Sequence, residues 1–510
     1  MTNQTAVAVT GIGCRAPGAR DHRELFDNLC RGVSTVSEID PQRWDPADFY
    51  SPDISIPNKT VSKWCGQIDE PYGFDDSFFR LSPKTAKLMD PQQRLLLEET
   101  WHCVEDSGTP LRALQQARTL VFVGVAARDH LQQGSEPGTT VEAYTTFGGS
   151  DYMLANRISH AFGLRGQSMA IDAACASSAV AIHLGIRALL DGDADFVLAG
   201  GVLLNLHPWK YISYSKARML SPSGLCRTFD KDADGFVPGD GVGMVMLRRL
   251  DDAVRDGDHV YGLLMGSAVN HNGAGRTITA PSVAAQRDVI TAALDRAGFD
   301  QATVGYVEAH GTGTPLGDPI EVEALHRVMS GVPREDGGCW IGSVKPNIGH
   351  LEAAAGVAGL VKVLMMMAHR RIPPSVHLST VNPLIKVDDG VLRLAREATA
   401  WEPVGDQPLR AGVSSFGGGG VNAHLCVEEH RPAADTGADP LAGTPSRSCS
   451  PRPPPGRWNC CWTAGGRARP ATAGSAAGSP TSAPPWPPAA SNSRCEPAAL
   501  CPPWTTLSHC

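Results

Sequence analysis

The stretch Ile171-Asp-Ala-Ala-Cys-Ala-Ser-Ser-Ala-Val180 leads from an apolar segment directly into a helix-forming one. Residues 176–190 are mostly Ala, Ile, Leu and Ser, which predicts a helix that is buried on most sides. Cys175 would then lie at the first turn of this helix, where unpaired N–H groups and the positive end of the helix dipole favour a thiolate. The stretch therefore predicts a reactive cysteine, and the alternative is inert packing of a buried thiol.

Two histidines lie downstream in glycine-rich settings. His310 stands in Glu308-Ala-His-Gly-Thr-Gly-Thr314, and His350 ends Lys345-Pro-Asn-Ile-Gly-His350. Glycines let a backbone approach a ligand closely, although a satisfied core histidine is the alternative for His310. His350 precedes a predicted helix, where terminus effects keep an imidazole neutral and able to donate a hydrogen bond. One nucleophile and two bases can support acyl transfer followed by carbon–carbon bond formation.

A third motif is the run Gly412-Val-Ser-Ser-Phe-Gly-Gly-Gly-Gly-Val-Asn-Ala-His424. Four consecutive glycines destabilise an ordinary element, but they are tolerated where backbone N–H groups must face a substrate oxygen. A plain tight turn is the alternative for this motif taken alone.

Apolar strand-like runs alternate with longer helical patterns through residues 1–430. This alternation predicts an α/β domain with a largely covered sheet. The predicted strands are residues 6–10, 119–125, 196–199, 243–248 and 305–308, and the predicted helices are residues 90–103, 176–190, 283–297 and 351–369.

The overall composition is that of a soluble globular protein, with 510 residues, 42% hydrophobic residues, 19% charged residues and a net charge of −8. The negative charge argues against a general nucleic-acid or membrane-surface binder. We find neither a signal-peptide pattern nor an uninterrupted apolar run of about 18 residues. The cysteines before residue 430 lack paired spacing, so we expect a reduced, cytoplasmic protein.

Three sequence patterns resemble cofactor or metal motifs without meeting their requirements. Gly11-Ile-Gly13 lacks the third glycine of a dinucleotide loop, because Ala16 occupies that position. Asp230–Gly235 begins like a calcium loop, but Gly241 stands at the twelfth position instead of a glutamate. The Cys460-Cys461 pair lacks zinc spacing. We therefore expect no metal site.

The composition changes after residue 430. Residues 431–510 contain 16 of the 39 prolines and six cysteines, but no Lys, Ile, Val, Phe, Tyr or Met. Such a segment cannot form a packed core, and we predict a disordered, Pro-rich tail. Our hypothesis is that the tail is translated out of frame, and a genuine disordered linker is the alternative. Resequencing the gene decides between them, because a well-supported unbroken frame would exclude a frameshift.

Together these motifs resemble the β-ketoacyl synthase domain of type I polyketide synthases, in the thiolase-like superfamily. The resemblance covers about residues 5–430. It also includes the opening Val9-Thr-Gly-Ile-Gly-Cys-Arg-Ala-Pro-Gly18 and the helix Met89-Asp-Pro-Gln-Gln-Arg-Leu-Leu-Leu-Glu98. It implies an α/β, five-layer αβαβα fold of two similar halves. Residues 1–265 would hold the nucleophile and residues 266–430 the histidines, and relatives of this kind are homodimers.

The resemblance also implies a mechanism. Cys175 would attack an acyl thioester on the phosphopantetheine arm of an acyl carrier protein, and no cofactor would be bound directly. His310 and His350 would promote decarboxylation of a malonyl-type extender and stabilise the enolate, which then attacks the acyl-cysteine. Lys345 would support the surrounding charge network.

Binding roles follow from the same resemblance. The backbone N–H groups of Cys175 and Gly418 would form the oxyanion hole, and Thr312 and Thr314 would hydrogen-bond the pantetheine arm. The family often has an aromatic or bulky residue at the position of Gly418, so the smaller residue here would widen the acyl tunnel or loosen its gate. Two alternatives are a non-elongating, gatekeeping acyl-transfer domain and an inactive fragment of a larger synthase.

Overall fold

The computed structural model describes residues 6–134, 140–274, 277–331, 338–387, 389–403 and 405–432. They belong to the first of two compact units, Met1–Asp435. Apart from Arg431 and Pro432, the predicted disordered tail lies outside the described residues.

The strands of the described chain form one large sheet and two small ones. They are β1 (Val7–Arg15), β2 (Val36–Glu38), β3 (Trp64–Gly66), β4 (Thr119–Gly124), β5 (Ser168–Ile171), β6 (Phe196–Leu203), β7 (Gly241–Arg249), β8 (Gly262–His271), β9 (Tyr306–Glu308), β10 (Cys339–Gly342), β11 (Arg371–Ile372), β12 (Leu392–Leu394), β13 (Thr399–Ala400), β14 (Arg410–Phe416) and β15 (Val421–Glu428).

Helices connect and cover these strands. They are α1 (His22–Cys30), α2 (Pro46–Phe49), α3 (Pro83–Leu88), α4 (Pro91–Ser107), α5 (Leu111–Gln116), α6 (Asp129–Gly134), α7 (Thr145–Gly149), α8 (Tyr152–Phe162), α9 (Ser177–Leu190), α10 (Pro208–Lys216), α11 (Leu250–Asp256), α12 (Val283–Ala297), α13 (Gly317–Met329), α14 (Lys345–Ile348) and α15 (Ala355–His369).

The large sheet consists of two sets of strands with the same internal order. The first set runs β5-β4-β6-β7-β1, and the second runs β10-β9-β14-β15-β8 with β12 added outside β10. In each set the first three strands are parallel and the last two antiparallel. Strands β5 and β10 hold the same position in the two sets. Helix α9 follows β5 and helix α15 follows β10 in the chain, so the two helices correspond. The predicted two similar halves are confirmed by this repeat.

Layering follows from which strands each helix touches. The two apolar helices α9 and α15 contact strands of both sets and each other, so they form the central layer. Helices α4 and α8 cover the outer face of the first set, α12 lies on the second, and α13 packs against α12. The result is the predicted five-layer αβαβα arrangement. One feature was not predicted: β1 and β8 pair at three positions, so hydrogen bonding runs continuously through 11 strands.

Helix α15 is apolar enough to raise the question of a membrane span. Its extended segment Glu352–His369 has a mean hydropathy of 1.3 over 18 residues, and 89% of that window is buried inside the protein. A helix enclosed by protein in this way is a core helix. The predicted boundary between the halves, residue 265, falls within β8, and that boundary stays a prediction.

Candidate active site

Cys175 lies in a short 3-10 turn, Ala174–Ala176, between the carboxyl end of β5 and helix α9. Ala174 has φ of 51°, a left-handed conformation that is costly for a residue with a Cβ. Ser177 holds the turn, because its hydroxyl oxygen accepts from Ala173 N–H at 2.8 Å and the hydroxyl lies 2.6 Å from the Ala174 carbonyl. A strained turn at the end of a strand therefore presents the cysteine.

The environment of Cys175 raises the pKa of its thiol from 9.0 to about 12. Desolvation is the main cause, followed by the Glu352 carboxylate, while Lys345 and a hydrogen bond from Gly418 N–H lower the pKa. A helix terminus typically contributes roughly 0.3–1 kcal/mol, less than a tenfold change in proton affinity, so it does not reverse this rise. The expected resting thiolate is therefore wrong, because desolvation outweighs the helix dipole.

We expect the alkylation rate of Cys175 to rise about tenfold per pH unit between about pH 7 and 10, because only the thiolate reacts. Iodoacetamide labelling followed by peptide mapping measures this rate for each cysteine. A plateau below about pH 8 would indicate a stabilised thiolate and contradict the raised pKa.

His310 follows the carboxyl end of β9. Its backbone N–H donates to Glu321 Oε1 at 2.7 Å, and its ring Nδ1 accepts from Phe416 N–H at 3.3 Å. Desolvation and the charge of Lys345 hold the pKa of this imidazole well below its usual value. The ring is therefore neutral at pH 7, and because Nδ1 accepts a hydrogen bond its proton is assigned to Nε2.

His350 is held in the same protonation state by different neighbours. It is buried, and its Nδ1 accepts from Glu352 N–H at 3.1 Å. Desolvation, and then Lys345 and His310, hold its pKa well below the usual value. The two imidazole rings lie 5.3 Å apart, edge to face. The site thus brings together two neutral imidazoles that each have an N–H donor at Nε2.

Lys345 is buried at the start of α14. Desolvation lowers the pKa of its amine, while Glu308 and Glu321 act in the opposite direction. Its charge lowers the pKa of both histidines and of Cys175. The catalytic role of Lys345 in this charge network stays a prediction.

The glycine-rich segment is the loop of the β14–β15 hairpin, and it reaches the nucleophile from a distant part of the chain. The Ser415 hydroxyl donates to the Cys175 carbonyl at 2.9 Å. A Cβ on Gly417 would lie 2.5 Å from the Ala173 carbonyl oxygen, whereas one on Gly418 would meet nothing within 4 Å. Close backbone approach thus requires glycine at 417, and the N–H of Gly418 is directed at the thiol.

Thr312 and Thr314 lie on the loop that also contains His310. Their hydroxyl oxygens are 3.2 Å apart, with Thr312 buried and Thr314 half-buried. The Thr314 hydroxyl also accepts from Gly317 N–H at 3.2 Å. The loop therefore pairs the two hydroxyls, and their role towards pantetheine stays a prediction.

Two carboxylates in this region were missed from the sequence. Glu321 accepts from His310 N–H and from Gly311 N–H at 2.8 Å, and burial raises its pKa to about 7. Asp318 accepts from Gly313 N–H at 3.1 Å, and burial raises its pKa to about 6. The signal in the sequence that could have indicated them is their spacing of three residues, which places both carboxylates on one face of a helix. They anchor the His310 loop.

The sequence patterns that resembled metal motifs have structural roles where they are described. Asp230 accepts hydrogen bonds from Ser379 N–H, the Ser379 hydroxyl and Thr380 N–H at 2.7–2.9 Å. Among the described residues, no group of three His, Cys, Asp or Glu side chains could hold a metal ion. The Cys460-Cys461 pair lies outside the described residues.

Comparison with protein families matches most of this domain. The N-terminal domain of β-ketoacyl synthases matches residues 4–253, and the C-terminal domain matches residues 261–379. Together these matches cover well over half of the chain.

Curated relatives are much longer than this chain. A phenolphthiocerol/phthiocerol polyketide synthase of Mycobacterium tuberculosis is 44% identical over 442 residues, which are 86% of this chain and 24% of the relative. Polyketide synthase ThaG of Burkholderia thailandensis is 44% identical over 438 residues, 84% of this chain and 8% of the relative. The chain thus spans about a quarter or less of these relatives.

Solved structures show the same fold. An oxazolomycin ketosynthase domain from Streptomyces albus superposes with a TM-score of 0.81 at 40% identity, covering 85% of this chain and 76% of that chain. The ketosynthase from module 6 of the bacillaene synthase of Bacillus subtilis superposes with a TM-score of 0.77 at 40% identity, covering 84% and 72%. The chain therefore belongs to the β-ketoacyl synthase family, as a ketosynthase domain of the polyketide synthase type.

Proposed function

We propose that this domain catalyses decarboxylative condensation between an acyl group on Cys175 and a malonyl-type extender, with both substrates delivered on acyl carrier protein. The observation that supports this most directly is the pair of neutral imidazoles, His310 and His350, within one site with the cysteine turn. Neutral N–H donors in a desolvated site stabilise a developing enolate oxygen without themselves losing a proton.

In the first step, Cys175 Sγ attacks the acyl carbonyl, and a new thioester bond forms as the bond to the phosphopantetheine sulfur breaks. The thiol proton leaves Cys175 and the departing carrier thiolate takes up a proton, so charge balances. The N–H groups of Cys175 and Gly418 hold the oxyanion of the tetrahedral intermediate.

In the second step, the extender loses carbon dioxide and the remaining electron pair forms an enolate. The Nε2–H groups of His310 and His350 hydrogen-bond its oxygen. The enolate carbon attacks the acyl-Cys175 carbonyl, a carbon–carbon bond forms, and the Cys175 sulfur leaves and is reprotonated. The product is a 3-oxoacyl thioester on the carrier protein. Thr312 and Thr314 bind its pantetheine arm.

Intact-protein mass spectrometry tests the first step. Incubation with acyl carrier proteins bearing different acyl groups is expected to add one acyl mass that maps to Cys175. Cys30→Ala is a matched control because Cys30 is the other half-buried cysteine among those described, and it should leave the adduct in place.

Addition of malonyl carrier protein separates the alternatives. Release of carbon dioxide together with a 3-oxoacyl product supports condensation. Acylation without decarboxylation identifies a gatekeeping domain, and a soluble protein that accepts no acyl group is an inactive fragment.

We also propose that two copies pair along β5. Within the described residues, β5 is one of the two edge strands of the large sheet and pairs only with β4. Met169 on β5 and Tyr152 on the adjacent α8 are each more than 40% exposed. An unpaired edge next to exposed apolar side chains suits antiparallel pairing about a two-fold axis. Sedimentation at twice the chain mass would support this pairing, and a monomer at micromolar concentration would contradict it.

A further inference from the structure

A buried ion pair stands beside the candidate active site. Lys210, in the first turn of α10, and Glu352, in the 3-10 turn that precedes α15, lie 2.9 Å apart from Nζ to Oε1. Both residues are less than a tenth exposed. The hydroxyl of Tyr214, one turn after Lys210 on the same helix face, donates to Glu352 Oε2 at 3.2 Å. These three side chains form a compact polar cluster, which we call the Lys210 cluster.

The Lys210 cluster has hydrogen-bonding capacity that the described protein does not use. Lys210 Nζ and Glu352 Oε1 are paired with each other at 2.9 Å, and neither atom has another hydrogen-bond partner among the described groups. An ammonium has three donors, and buried polar groups in folded proteins nearly always have hydrogen-bond partners. The cluster is therefore open to a further polar partner.

Several observations place the Lys210 cluster next to Cys175. The 3-10 turn that contains Glu352 packs against the turn that contains Cys175. The Glu352 carboxylate raises the pKa of the thiol, and the Lys210 ammonium lowers it. Tyr214 also interacts electrostatically with Cys175. The pKa of the Tyr214 hydroxyl is raised most by Glu352, then by burial and then by Cys175. A chain bound to the sulfur would thus lie near these three side chains.

We propose that the Lys210 cluster is a polar wall of the acyl site and selects acyl chains that have an oxygen substituent close to the thioester. This inference rests on the proposed function, since it requires that Cys175 accept acyl groups. A hydroxyl or ketone on the chain can accept from Lys210, and a hydroxyl can donate to Glu352. A chain without an oxygen substituent displaces water from both groups and forms no hydrogen bond in its place. Sites with unsatisfied buried polar groups discriminate strongly against such analogues.

The alternative is a purely structural role, in which the pair only ties α10 to the start of α15. That role predicts no difference between oxygenated and saturated chains. The two interpretations therefore differ in the ratio of acylation rates for chains with and without an oxygen substituent, and not in the stability of the protein.

The test compares acylation of Cys175 by 3-hydroxybutyryl and butyryl thioesters of N-acetylcysteamine, followed by intact-protein mass spectrometry. We expect kcat/KM for the 3-hydroxybutyryl thioester to exceed that for the butyryl thioester at least about tenfold. In the double variant Lys210→Met/Glu352→Gln the ratio should fall to about one, and in Tyr214→Phe it should fall partly. Replacing both members avoids leaving one charge of the pair without its partner. Asp129, which also interacts with Lys210, keeps its hydrogen bonds from Leu206 and His207 N–H.

Lys216→Met is the matched control, because Lys216 is an exposed lysine at the other end of the same helix. The ratio of kcat/KM for the two thioesters in this variant should equal that of the wild type. Circular dichroism verifies folding. If the double variant does not fold, the ratio in Tyr214→Phe decides. Equal rates for the two thioesters in the wild type, or an unchanged ratio in the folded variants, would overturn the polar wall while leaving the proposed function intact. Failure of both thioesters to acylate Cys175 would instead remove the proposed function, and this inference with it.

Discussion

His310→Ala should reduce condensation about 10²–10³-fold while Cys175 still accepts an acyl group, because it removes one of the two N–H donors proposed for the enolate. The proton of the His310 ring is assigned to Nε2 because its Nδ1 accepts from Phe416 N–H. Carbon dioxide release from malonyl carrier protein measures the second step, and intact mass measures the first.

A surface histidine provides the control for this variant. His326→Ala removes the contact between His326 Nε2 and Asp389 Oδ2 (2.7 Å) at a half-buried position near the surface of the same half, and such pairs contribute little. Condensation in that variant should remain within about twofold of the wild type. Condensation at the wild-type rate in His310→Ala would show that His310 does not act on the extender.

Gly417→Ala is the second change with a large expected effect. Its Cβ would lie 2.5 Å from the carbonyl oxygen of Ala173, a backbone atom at the start of the cysteine turn. Relief of that clash must move either the loop or the turn, and a displacement of about 1 Å at a reacting centre can cost about 100-fold in rate. We therefore expect acylation of Cys175 to slow about 10–100-fold, with a loss of stability of roughly 1–3 kcal/mol from overpacking.

Gly418→Ala supplies a matched comparison one position away. A Cβ there meets nothing within 4 Å, and the backbone N–H that faces the thiol is retained. Neither Gly417 nor Gly418 has positive φ, in contrast to Gly420 at 92°, so backbone strain does not separate the two variants. Acylation should stay near the wild-type rate. Equal damage in both variants would show that the loop needs glycine for a reason other than the contact with Ala173.

Much of the fold was predictable because it depends on local patterns. The predicted helix at residues 283–297 coincides with α12, and the prediction at residues 176–190 differs from α9 only at its first residue. The apolar character of residues 176–190 and 351–369 indicated burial, and both segments form the central layer. The β1–β8 pairing was not predictable, since nothing in either strand specifies which distant strand borders it.

The candidate site was predictable in its residue types but not in its electrostatics. Cys175, His310, His350 and Lys345 were selected from motifs and a family resemblance, and the structure brings them together. The Lys210 cluster was missed because it joins α10 to the start of α15, which are far apart in the chain. Glu321 lies only 11 residues from His310, and it was missed because its contacts depend on how the intervening loop folds back onto α13.

The sequence by itself determined the chemical groups, their order along the chain and the two apolar helices that begin beside Cys175 and His350. Only the tertiary structure decided the states of those groups. It desolvates the half-buried Cys175 and raises the pKa of its thiol, assigns the histidine protons through Phe416 and Glu352 N–H groups, and brings Ser415 to the Cys175 carbonyl. The physical reason is that helix formation depends on neighbours in sequence, whereas desolvation and charge interactions depend on every group nearby in space.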